Sequence, residues 1–348
     1  MLRQIYTVPC RASVALLILA SLSGCHKETA SNTTTEQSQP QQNVLRLDPA
    51  LDDLVPKTAQ LEKLAGGFQF VEGPVWFRAG HLWFSDVKGN VVLQWSPDGK
   101  IEIVLKRAGY DKDDAPPGSL IGPNAQIHDA GDATLLCQHG NRRIVRVSSS
   151  REVTPVIERY EGKRLNSPND LVYKSDGALY FTDPPYGLLK EDEDPKKELS
   201  FNGVFRFQNK KLEPVIKDLT RPNGIAFSPD QKYLYISNSD AKHKVWMRYD
   251  VTSDGQVANG RVFYDVTSET DPGLPDGMKI DAKGNLYCSG PGGIWIFSPE
   301  GKHLGTIKMP EVPANCNWGD DGKALYITAT TGLYRIKLSV AGEKALYN

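Results

Sequence analysis

The sequence predicts an all-β protein, a six-bladed β-propeller with four antiparallel strands per blade. Three observations carry this. A hairpin pattern recurs six times at nearly constant internal spacing. Most stretches between copies hold two further strand-like runs. No helical periodicity is found after the N-terminal leader.

Each segment can be justified in chain order. Residues 1–24 read as a signal peptide: Arg3 and Arg11 precede an apolar run, 14–22, too short to span a bilayer. The leader ends Leu22-Ser23-Gly24-Cys25, similar to a bacterial lipobox, which implies lipid on Cys25 as the mature N-terminus. The expected product is a periplasmic, membrane-anchored lipoprotein whose Cys25 acyl chains enter a lipid bilayer. His26 in place of Asp favours the outer membrane. Residues 25–57 are expected to form a flexible tether, polar at their start, and the propeller to occupy 58–348.

The repeats follow. "VEGPVWFRAGHLWFSD" carries Glu72 to Asp86, and "PNAQIHDAGDATLLCQH" carries Asn124 to His139. "PNDLVYKSDGALYFTD" carries Asn169 to Asp183, and "PNGIAFSPDQKYLYISN" carries Asn223 to Asn238. "PDGMKIDAKGNLYCSG" carries Asp276 to Gly290, and "ANCNWGDDGKALYITA" carries Asn315 to Ala329. The six spans measure 14, 15, 14, 15, 14 and 14 residues, and successive copies start 52, 45, 54, 53 and 39 residues apart. A register held while the sequence drifts marks one structural unit. The sixth unit lacks a fourth strand after Ile336, so a strand near 59–64 is expected to complete it and close the ring.

Antiparallel order sorts the loops. The long ones, 107–122, 158–168, 184–202 and 265–275, share one face. Tight turns such as "SPDG" and "KSDG" take the other. Function is expected on the face with the long loops. In 184–202, Pro184, Pro185 and Tyr186 are placed to wall one side of the mouth, or to form part of a lid. Arg142 and Arg143 either line the mouth or pair with acidic loops.

Bulk composition narrows the partners. A net charge of -1 gives no field to gather nucleic acid, and no obligate protein partner is inferred. Of 5 cysteines, Cys10 and Cys25 belong to the leader and its cleavage site. Cys137, Cys288 and Cys316 remain, with no zinc-site spacing. A Cys288–Cys316 bridge and three buried thiols both fit.

The residue opening strand one of each unit should lie nearest the axis. These are Glu72, Asn124, Asn169, Asn223, Asp276 and Asn315: two carboxylates and four amides, without Lys or Arg. Two carboxylates brought together repel unless a cation joins them. Oxygen donors suit one hard divalent cation, calcium first, magnesium next and zinc least. At the far end of strand two, Asp183 is a candidate base. Asp86, His139 and Asn238 hold equivalent rim positions from which to orient substrate, as do Asn124 and Asn315 on the axis. Asp170 alternates away from Asn169 and is expected to be structural.

"EGPVWF", "NSPNDLVYKSDGALYFTDPPYG", "RPNGIAFSPD" and "LPDGMKID" together resemble the senescence marker protein/gluconolactonase family of lactonases over about residues 60 to 340. "CQHGNRRI" is similar to its bacterial gluconolactonase-like members. The resemblance implies a calcium-dependent six-bladed propeller that hydrolyses sugar-type lactones. It implies metal ligands at Glu72, Asn223 and Asp276, with Asn169 on metal or substrate, and Asp276 doubling as general base. Asn124 departs from the family's Asn-Gly form, being followed by Ala125. Two alternatives stay open: a hydrolase of other esters or phosphotriesters, and a non-catalytic, lipid-anchored binding propeller with a structural ion.

Overall fold

The computed structural model describes residues 43–347, in which six antiparallel sheets form the blades of a β-propeller. The leader, lipidation at Cys25 and the tether up to residue 42 lie outside the described residues. Blade one runs Val71–Phe77, His81–Asp86, Val91–Trp95 and Ile101–Lys106. Blades two to five begin at Pro123–Asp129, Leu171–Tyr173, Pro222–Phe227 and Met278–Ile280. Blade six is Pro313–Gly319, Ala324–Ala329 and Gly332–Lys337, completed by Leu61–Gly66 from the other end of the chain. Leu61 pairs with Ile336 and Gly66 with Gly332, the closure the missing fourth strand called for.

Burial explains the ring. Six clusters of buried apolar residues each sit between two adjacent blades. Val71, Phe84 and Trp95 of blade one meet Tyr326 and Leu333 of blade six. Leu179, Phe181 and Phe205 of blade three meet Leu135, Cys137 and Ile144 of blade two. Adjacent blades therefore share their apolar surface, and no blade can bury its own alone. Cys137, Cys288 and Cys316 are all free and buried within these interfaces, so no bridge forms.

Two features depart from expectation. Blade five has five strands, because Val44–Arg46 pairs with His303–Lys308 on its outer edge. A short 3-10 helix, Pro49–Asp53, follows, capped by the Asp48 side chain on the Ala50 N–H at 2.8 Å. Leu51, Leu54 and Val55 then join the interface between blades five and six. The part of the expected tether from Val44 to Lys57 is thus packed structure. The polar composition of residues 26–43 conceals this, because the few apolar residues within 44–47 and 51–55 find their partners only in tertiary contact.

The innermost strands are irregular where chemistry is expected. Pairing slips between Glu72 and Val75, Pro123 and Gln126, Pro222 and Ile225, and Pro313 and Asn315. Such bulges bend a strand and re-aim one side chain. At the opposite end of the axis a cavity of about 560 Å³ opens among the tight turns. The C-terminal segment lines it: Glu343 N–H bonds to the Ile280 carbonyl at 3.1 Å, and the Tyr347 ring stands edge-on to Tyr173.

Candidate active site

Of the six axial residues, Glu72, Asn124, Asn223 and Asn315 lie on the innermost strands of their blades, while Asn169 and Asp276 sit two residues before theirs. Five are buried, none more than 4 % exposed; Asp276 alone keeps partial access to solvent. Close approach depends on the residue that follows each. A Cβ on Gly224 would stand 2.2 Å from the Asp276 carbonyl oxygen, and one on Gly277 would stand 2.0 Å from Cγ of Asn315. The Asn-Gly and Asp-Gly pairs in the sequence are therefore contact points between blades. Ala125 replaces the glycine in blade two, and its N–H bonds to the Asn169 carbonyl at 3.1 Å.

Glu72 accepts the Gly73 N–H at 2.6 Å and the Asn315 amide at 3.1 Å, both on Oε2. Burial, and then the negative charge of Asp170, push its pKa upward. Asp276 moves the same way through burial, then through the charges of Glu72 and Asp170. Three carboxylates thus share one desolvated region. Asn223 donates to Ser239 Oγ at 3.0 Å, while its buried Oδ1 has no partner. The Asn124 Oδ1 is likewise buried and unpartnered.

His139 is 1 % exposed. Its Nδ1 lies 3.2 Å from the Leu120 carbonyl, and its Nε2 3.5 Å from the Asn169 amide nitrogen. A neutral ring with hydrogen on Nδ1 satisfies both contacts and turns the Asn169 oxygen the other way. His139 therefore positions Asn169 and does not line the mouth. Burial lowers its pKa to about 4. A histidine with a depressed folded pKa contributes stability that is full above its ordinary 6.5 and lost as pH falls toward 4. In urea titrations with chelator, the stability advantage of wild type over His139→Gln should shrink by about 3 kcal/mol between pH 7 and pH 4. A difference independent of pH would refute the buried neutral ring.

Three rim residues do something other than meet substrate. Asp183 is fully buried, and its two oxygens accept the N–H groups of Asn166 and Ser167 at 2.7 and 2.8 Å. Asp86 accepts from Gln69, Phe70 and Gly89. Asn238 accepts the Arg221 N–H at 2.8 Å. Each clasps backbone two or three residues ahead of its own axial residue and fixes the entry to strand one. Asp183 is therefore not placed as a base, nor Asp86 and Asn238 as substrate contacts. Asn315 also differs from expectation: its amide nitrogen is held by Glu72 and, at 3.5 Å, by Asp170, and its oxygen accepts the Cys316 N–H.

Two further side chains reach the site, Asp170 and Tyr186. Asp170 turns inward, with its carboxylate beside Asn315 and Lys279. Tyr186 reaches in from the loop after Asp183. Its ring is half-buried, and its hydroxyl is sealed from solvent without a hydrogen-bond partner, near Asn223, Ser239 and Asp276. That loop is held by polar contacts. Arg142 ties it down through the Leu165 and Lys196 carbonyls at 2.7 and 2.6 Å, and Arg221 pairs with Glu191 and Asp192. Arg143 instead pairs at the surface with Asp111 and Glu158.

Among the described residues no three His, Cys, Asp or Glu side chains are placed to hold a metal ion by themselves. The amides must supply part of any donor set. The unpartnered Oδ1 of Asn223, the Asn169 oxygen, and the carboxylates of Glu72 and Asp276 together give hard oxygen donors with two negative charges. That set fits a hard divalent cation.

Residues 70–331 match the family described as SMP-30/Gluconolactonase/LRE-like region. A gluconolactonase from Zymomonas mobilis is 38% identical over 335 residues, covering 90% of this chain and 94% of that protein. The solved structure of a gluconolactonase from Xanthomonas campestris is 31% identical with a TM-score of 0.74, covering 85% of this chain and 94% of its own. A calcium-binding regucalcin from Agrobacterium tumefaciens shares the fold, at a TM-score of 0.64 and 17% identity, over 82% of this chain and 96% of its own.

Proposed function

This chain belongs to the SMP-30/gluconolactonase/LRE-like family, and on that premise we propose that it opens a sugar-type lactone at the axial site. Glu72, Asn169, Asn223 and Asp276 would hold one divalent cation, calcium foremost. Such an ion, when bound, polarises a carbonyl and stabilises the oxyanion that develops on it.

The chain's own groups do the rest. Asp276 is the base, and one observation carries this: it is the one axial residue that is not fully buried. Its carboxylate takes a proton from the water whose oxygen attacks the lactone carbonyl carbon. The bond from that carbon to the ring oxygen then breaks. The ring oxygen recovers a proton from Asp276 and leaves as a hydroxyl, giving a hydroxy acid. Asn315 holds Glu72 in place, and His139 holds Asn169. Tyr186 covers the site from one side and presents its free hydroxyl toward the space beside Asp276.

We also propose that residues 1–24 are removed and that lipid on Cys25 anchors the enzyme to a membrane facing the periplasm. The leader's shape and the Leu-Ser-Gly-Cys sequence support this.

The test is a pH-stat assay of acid release from an aldonolactone. Turnover should vanish after exhaustive chelation and return with calcium. No turnover in calcium would remove the lactonase reading, and turnover unaffected by chelation would remove the ion from it.

A further inference from the structure

Two charges near the axis have no part in the reaction as described. Asp170 is 1 % exposed. Its Oδ1 accepts the Leu171 N–H at 2.8 Å, and its Oδ2 lies 3.5 Å from the Asn315 amide nitrogen and 3.9 Å from Nζ of Lys279. Lys279 is the only Lys or Arg on the six innermost strands. Its side chain also lines the cavity at the far end of the axis, beside Val75, Ile127, Ile225 and Trp318, and its ammonium donates to the Met278 carbonyl at 3.0 Å. The Asn315 amide, held between Asp170 and Glu72, joins this pair to the ion site.

The charges can be counted. Glu72, Asp170 and Asp276 supply three negative charges, and Lys279 supplies one positive. Two negative charges are left over. In a desolvated region any residual charge is costly, so occupants are selected by how nearly they cancel it. We infer that Lys279 sets the valence of the ion this site accepts. By cancelling Asp170 it leaves a deficit that a divalent cation neutralises and a trivalent one overfills. This rests on the reading of the axial cluster as a cation site.

Trivalent lanthanides resemble calcium in size and in their preference for oxygen donors, so they isolate the effect of charge. Calcium and terbium chlorides would be titrated separately into the full-length protein by calorimetry, and the ratio of the two dissociation constants compared between variants. Lys279→Met should shift that ratio toward terbium by about tenfold or more. Lys279→Arg, which keeps the charge, should hold the wild-type ratio. Asp170→Asn should shift it the other way, and the double variant Asp170→Asn/Lys279→Met should restore it. If Lys279→Met fails to fold, the Asp170→Asn and double variants still give the comparison, since the double variant leaves no unpaired charge behind. An unchanged ratio in Lys279→Met, or a double variant that stays with Asp170→Asn, would overturn the inference while leaving the ion site intact. Wild type that binds neither ion would overturn the ion site itself, and this inference with it.

Discussion

Replacing Asp276 by asparagine is expected to lower kcat/KM for lactone opening about a thousandfold or more, with the fold intact. The substitution keeps the side chain's size and one oxygen, but removes the carboxylate of the one axial residue that is not fully buried. No other residue is placed to replace it. Glu72 is buried and holds its Oε2 on Gly73 and Asn315, and Asp183 is occupied by the Asn166 and Ser167 N–H groups. Stability should move in the opposite direction. Without an ion, the charge on Asp276 is opposed by burial and by the nearby charges of Glu72 and Asp170. The variant should therefore melt at or above the wild-type temperature in chelator, and gain less than wild type when calcium is added. Acid release and thermal melts, each with calcium and with chelator, separate these effects. Wild-type turnover in the variant would mean that another group takes the water proton.

Gly224→Ala is the second large effect, and it is structural at its origin. The new methyl would meet the Asp276 carbonyl oxygen at 2.2 Å and Cα of Gly277 at 2.9 Å. Both are backbone atoms, so no rotamer change can relieve the clash. The Asp276 carbonyl is also the acceptor for Ser237 Oγ at 2.6 Å, which fixes it from a second side. The innermost strand of blade five must shift outward, carrying Asp276 with it. The expected cost is about 3 kcal/mol, at the upper end for overpacking, together with loss of lactone turnover even where the protein remains folded. A urea midpoint equal to wild type would show that the blades do not press together at this point.

Repetition made most of the fold legible. Six hairpins in one register give the blade number, and the want of a strand after Ile336 gives the closure by residues 61–66. The fifth strand of blade five was not legible. Three residues, Val44–Arg46, carry no periodicity, and their pairing depends on an open edge supplied by residues more than two hundred positions away. At the site, the axial residues followed from their phase in the repeat. The rim residues did not. A carboxylate at the end of strand two can point into the mouth or fold back on its own loop, and the sequence is the same in both cases. Only the backbone N–H groups two and three residues before each axial residue decide it. The inward turn of Asp170 was missed because strict alternation does not hold where the strand has yet to begin: regular pairing in blade three starts at Leu171. The single lysine in "GMKID" was the available sign that a further negative charge was buried nearby.

The pairing of Leu61–Gly66 with Gly332–Lys337 also bears on the order of events in folding, in which ring closure is expected to come last. The two strands are separated by nearly the whole ordered chain, so their contact carries the largest loop-closure entropy in the molecule. Blades one to five can assemble from neighbours as they are made, but the ring cannot lock until the last strands exist. Until then the interface between blades one and six, with Phe84, Trp95 and Tyr326, stands open to water. The slowest step in refolding should be this single act of closure, and a chain cut short within blade six would keep five formed blades and an exposed, adhesive seam.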